Sequence, residues 1–238
     1  MKDAKHELLD LIKEKGRDAI AEWRAREDFK VIGFPLWDTD LWGMDLSGIN
    51  LSGANLRSAK LQGANLDGTD LSDARLHSAM LHGATLVGAN LRHAKMSRSR
   101  LSGADLRGAD LSFVEAISSD FSQTRLEEAN FHCATMPRSC FIGANAARAK
   151  FELTDLRYAN VEGMDFTDAT LTTVRMERVL WKPKKTRHPN PLDLWAQLEK
   201  AKERKEVFTT LPTLKDKPGM LYQSVYSYGR IKIPSPSE

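Results

Sequence analysis

LWGMDLSGINLSGANLRSAKLQGANLDGTDLSDARLHSAMLHGATLVGANL, residues 41–91, carries a leucine at every fifth position. The phase continues through Met96, Leu101, Leu106, Leu111, Ala116, Phe121, Leu126, Phe131, Met136, Phe141, Ala146, Phe151, Leu156, Val161, Phe166, Leu171 and Met176, twenty-eight positions in one unbroken register. Two residues ahead of each stands a small residue in most repeats, as at Ala54, Ala59, Ala64, Ala74 and Ala104, and Asn or Asp often separates the two.

A period of five fits neither a helix face, which recurs at about 3.6 residues, nor a strand face, which recurs at 2. Either would scatter these leucines around a surface. The chain must instead turn every five residues, so that each leucine points to a common axis and the small residue lies beside it where nothing larger fits. Such a spiral is a solenoid whose coils, stacked by backbone hydrogen bonds, lie about 4.8 Å apart.

Runs such as Gly53-Ala54-Asn55-Leu56 and Ala104-Asp105-Leu106-Arg107-Gly108 resemble those of pentapeptide-repeat proteins, over more than half of the chain. The resemblance implies an all-β solenoid, a right-handed quadrilateral β-helix with four repeats per coil. The twenty-eight repeats then make about seven coils. Phe121, Phe131, Phe141, Phe151 and Phe166 enter the second half of the stack beside the undersized Ala116 and Ala146, an alternation of large and small that a close-packed axis requires.

Neither end repeats, and a solenoid exposes its core unless atypical segments cover it. The expected organisation is therefore a helical N-terminal cap over residues 1–40, the β-helix over 41–181, and a basic linker, helix and Tyr-rich tail over 182–238. In the first segment Leu8, Leu9, Ile12, Ala19, Ile20 and Trp23 form an apolar stripe broken at Gly16, and Phe34, Pro35, Leu36, Trp37 and Trp42 are expected to plug the first coil. In the last, Asn190 and Pro191 are favourable first residues of a helix with Leu192, Trp195 and Leu198 on one face. That helix either caps its own coil or joins two copies as a homodimer, the role such helices commonly take in proteins the chain resembles. Tyr222, Tyr226 and Tyr228 would add to such a contact.

No constellation of residues converges on chemistry. His132 and Cys133 adjoin without a third partner, and His93 and Cys133 fall two coils apart in one column with Phe113 between them. The glycines belong to the turns of the repeat, so no phosphate loop is present, and the sequence implies neither enzyme nor cofactor nor metal site. Two cysteines are too few for a disulfide framework, and no long apolar run is present, so the expected compartment is the cytoplasm.

Charge is more informative by face than by sum. Residues 41–181 hold fifteen cations against sixteen carboxylates, whereas residues 182–238 hold twelve against six. With coils of twenty residues, one side gathers Arg57, Arg75, Lys95, Arg98, Arg138, Arg157, Arg175 and Arg178 against Glu115, Asp155 and Glu177. The opposite side holds Asp45, Asp67, Asp105, Glu127, Glu128, Asp165 and Asp168 against Arg107, Arg125 and Arg148. The expected function is a protein-interaction scaffold that offers flat faces to a partner. The resemblance supplies a second candidate, imitation of DNA toward DNA gyrase or topoisomerase IV, which demands a strongly acidic rod. The basic side supplies a third, a nucleic acid or anionic surface.

Overall fold

The computed structural model describes residues 4–16, 18–26, 34–176 and 178–180. Two helices open the chain, α1 (Ala4–Lys15) and α2 (Asp18–Arg24), separated at Gly16, whose φ of 58° a side chain would strain. Leu8, Ile12, Ala19, Ile20 and Trp23 are buried and continuous with the core that follows. Arg24 reaches across to the first turns, donating from Nη2 to Asn50 Oδ1 at 2.6 Å and to Ser52 Oγ at 3.2 Å.

From Pro35 to Leu180 the backbone forms parallel bridges, each joining a residue to the one twenty further on, as in Asn50 with Asp70 and Asp70 with Asn90. Four pentapeptides therefore close each turn of the solenoid, which fixes four sides. The ladder begins at Pro35, one pentapeptide ahead of Leu41, because Leu36 already points inward and Thr39 takes the small residue's place. Phe34 and Leu36 are buried as expected of a plug, but Trp37 and Trp42 are not: they are 42% and 73% exposed. Both follow an inward leucine, and that position lies at the corner of the coil, where side chains point out.

Each inward residue from Leu46 to Ala146 is fully buried or nearly so, and where an Ala, Ser or Thr stands beside it that residue is buried with it, whereas Met44 and Ile49 in the first coil are partly exposed. Where the small residue carries a hydroxyl, the hydroxyl usually finds a carbonyl, as Thr69 Oγ1 donates to Leu46 at 2.7 Å and Ser119 Oγ to Met96 at 2.7 Å, whereas the buried Ser99 hydroxyl has no partner among the described residues. The phenylalanines stack between coils, Phe121 on Phe141 with ring centroids 5.0 Å apart and Phe131 on Phe151 at 4.8 Å, which measures the coil rise directly.

The backbone amides of one repeat show what the other positions are for. In 65–69, Leu66 and Gly68 donate to Thr85 and Val87 of the next coil, and Asn65 to Met44 of the coil before. Thr69 closes the turn by donating to Leu66 at 3.1 Å. The remaining amide, of Asp67, is taken by the side chain of Asn65 at 3.1 Å. The same bond from an Asn or Asp recurs at Ser52, Ser72, Arg92, Arg107 and Ser112, among others, and accounts for the Asn and Asp that precede the leucines.

Candidate interaction faces

Every turn has a left-handed third residue, from Asp38 at φ 52° to Arg178 at 55°. With the hydrogen bond from fourth residue to first, this is the pattern of a type II turn. Glycine fills the position at Gly43, Gly48 and Gly53 and in much of the first half, but in the second half Phe113, Arg138, Leu153, Tyr158 and Arg178 occupy it. These corners push large side chains outward in vertical columns. The chain accepts a backbone penalty to hold them there.

The predicted basic residues do fall on one side of the solenoid, in three columns. The bridged column runs Asn55, Arg75, Lys95, Glu115, Thr135, Asp155 and Arg175. Arg57 and Arg157 share the first corner column, and Arg98, Arg138 and Arg178 share the second with Ser118 and Tyr158. The structure divides the eight cations. Asp155, only 7% exposed, is gripped by Arg157, with Nη2 at 2.7 Å and Nε at 2.9 Å, and Arg175 Nη1 lies 3.8 Å away. Arg57, Arg75, Lys95, Arg98, Arg138 and Arg178 are exposed, or largely so, and none forms an ion pair among the described residues. Tyr158 sits between Arg138 and Arg178, their guanidinium carbons 5.8 and 5.7 Å from its ring centroid. Charge counting passes over Tyr158, although the twenty-residue register already places it in that column.

The opposite side is acidic in composition and pairs part of its charge internally. Asp105 meets Arg107 Nη2 at 2.8 Å and Arg125 Nη1 at 3.1 Å, and Glu128 meets Arg148 at 2.8 Å. Partial burial works against the Asp105 charge, but hydrogen bonds from the Arg107 side chain and amide, aided by Arg125, outweigh it and hold the carboxyl below its ordinary value. Three arginines leave carboxylates over, and the exposed Asp168 has no ion pair among the described residues.

The corner preceding the basic side carries a different chemistry. Phe113, 40% exposed, stacks on His93 with centroids 4.9 Å apart and meets the edge of His132 at 5.5 Å, while Leu153 two coils on is 49% exposed. Phe113 thus separates His93 from Cys133, as the spacing predicts, and His132 Nδ1 pairs instead with Glu152 at 3.1 Å. Among the described residues no group of three metal-ligating side chains forms, both cysteines are free, and no helix is long and apolar enough to cross a membrane. Leu192, Trp195, Leu198, Tyr222, Tyr226 and Tyr228, expected in a dimer contact, lie outside the described residues.

The sequence model described as pentapeptide repeats matches in eight copies, over residues 38–73, 74–112, 109–145 and 141–172. No curated protein matches the chain. Among solved structures, HetL, a pentapeptide repeat protein involved in heterocyst differentiation regulation from the cyanobacterium Nostoc sp. strain PCC 7120, is 31% identical, covering 64% of this chain and 76% of HetL at a TM-score of 0.37. The pentapeptide repeat protein alr5209 from Nostoc PCC 7120 is 38% identical over 37% of this chain and 69% of its own, with a TM-score of 0.27. Full-length QnrB1, a plasmid-mediated fluoroquinolone resistance protein, is 18% identical over 68% of this chain and 84% of its own, with a TM-score of 0.35.

Proposed function

The chain belongs to the pentapeptide-repeat family, and from that premise we propose that it is a non-enzymatic scaffold whose basic side receives an anionic protein partner. In this reading the β-helix is right-handed with about seven coils, α1 and α2 close its first coil, and residues 182–238 close the other end. The observation that carries the reading is the contrast between two sides of one rod. Six exposed cations on one side lack ion pairs among the described residues, whereas Asp105 and Glu128 on the other are held by arginines of their own side. A DNA-like partner surface for gyrase or topoisomerase IV fits poorly. Its acidic rod is missing, since residues 41–181 are nearly neutral, with fifteen cations against sixteen carboxylates.

The test is the triple change Arg98→Glu, Arg138→Glu, Arg178→Glu, which reverses one column without touching the core. The folded content should survive. A partner captured from cell extract by the parent should be lost, and its capture by the parent should weaken as salt rises, most steeply for a nucleic acid. An unchanged partner with unchanged salt dependence would move the function to the ends of the rod.

A further inference from the structure

The basic side lies between two corner columns, and the columns differ. One carries His93, Phe113 and Leu153; the other carries Arg98, Arg138, Tyr158 and Arg178. Between them runs the bridged column of Lys95, Glu115, Thr135, Asp155 and Arg175. Its two carboxylates are already engaged, Asp155 by Arg157 and Glu115 by the Ser97 hydroxyl at 3.4 Å.

On each corner column side chains of one kind recur at alternate coils, the apolar pair on one and the arginines on the other. Phe113 and Leu153 are forty residues apart, and so are Arg98, Arg138 and Arg178. With a coil rise of 4.8 to 5.0 Å, read from the stacked phenylalanines, these side chains repeat about every 10 Å along the rod. An α-helix rises 1.5 Å per residue, so residues seven apart on one stripe are about 10.5 Å apart. Neighbouring stripes of such a helix lie three or four residues away from each other. We propose, building on the scaffold reading above, that the partner segment is an acidic amphipathic α-helix lying parallel to the solenoid axis across this face. Carboxylates at positions i, i+7 and i+14 meet the three arginines, and apolar side chains on the adjacent stripe meet Phe113 and Leu153. The planar fork of Arg suits a carboxylate, and the Tyr158 ring braces two of the three forks. A single-stranded nucleic acid matches less well, because Phe113 is already stacked on His93 and Leu153 offers no ring.

The test uses the full chain and three probes: a helical peptide with Glu at heptad spacing and Leu on the adjacent stripe, a scrambled peptide of identical composition, and a single-stranded oligonucleotide. The heptad peptide is expected to bind at least tenfold tighter than the scrambled one. Changing Phe113→Asn and Leu153→Asn, which Asn tolerates at a left-handed corner, should remove that tenfold and leave the scrambled peptide unaffected. Changing Arg98, Arg138 and Arg178 to Asn should weaken both peptides. Equal binding of the two peptides, both dependent on the arginines, overturns the helix while the basic-side reading stands. Tighter binding of the oligonucleotide, indifferent to Phe113 and Leu153, also overturns it and names nucleic acid as the partner. Binding of all three probes indifferent to the arginines overturns the helix and the basic-side reading together.

Discussion

Gly103 has a φ of 69° with open space where a side chain would stand, so Gly103→Ala is charged only for its backbone, about 1 kcal/mol. Gly143 has the same backbone, but the Gln123 side chain fills the place of a β-carbon and donates from Nε2 to the Ile142 carbonyl at 3.2 Å. Gly143→Ala should therefore cost more in urea melts than Gly103→Ala, and adding Gln123→Ala should cancel the excess. Asp110 makes a second prediction at this scale. Burial opposes its charge, but hydrogen bonds from the Ser112 hydroxyl and amide and from Arg92 prevail and lower its titration. Its contribution is complete above the ordinary carboxylate value near pH 4 and is lost as pH falls through the lower folded value. Asp110→Asn should flatten the acid limb of stability against pH without steepening it elsewhere.

At the scale of the coil, stability comes from an axis that admits no polar group. Leu86 is fully buried, and its amide donates to the Asp105 carbonyl at 2.7 Å. Leu86→Asp should cost at least about 4 kcal/mol or abolish folding, since a carboxylate there has neither water nor partner. Ser58→Asp, at an exposed left-handed corner where Asp is tolerated, is the matched control and should melt with the parent. The axis was legible in the sequence because a five-residue period leaves only one geometry for the leucines. The Asn and Asp before them were visible as a pattern but not as caps, since the orphan amide appears only when the other four have been assigned. Trp37 and Trp42 were misplaced for a related reason: apolar character suggested a plug, whereas position in the repeat sends both outward.

For the molecule as a whole, the sequence located one basic side but not which of its cations are free. That depends on Asp155, whose burial between Arg157 and Arg175 no count of charges reveals. Assembly is argued from the amphipathic pattern of residues 190–238: the intact chain should be a dimer at micromolar concentration and its 1–189 truncation a monomer, as light scattering will report. Dimer persistence after truncation would move the contact to the solenoid or to α1 and α2. The uninterrupted register has a further consequence for how such a chain can change length. Its interior obeys arithmetic in fives and its exterior arithmetic in twenties. Excising residues 104–108 joins Gly103 to Ala109, preserving the inward phase, yet it rotates everything downstream by a quarter turn and leaves Arg98 on a different wall from Arg138 and Arg178. A lineage of such rods can therefore keep its fold through every five-residue indel while reshuffling which residues look the same way.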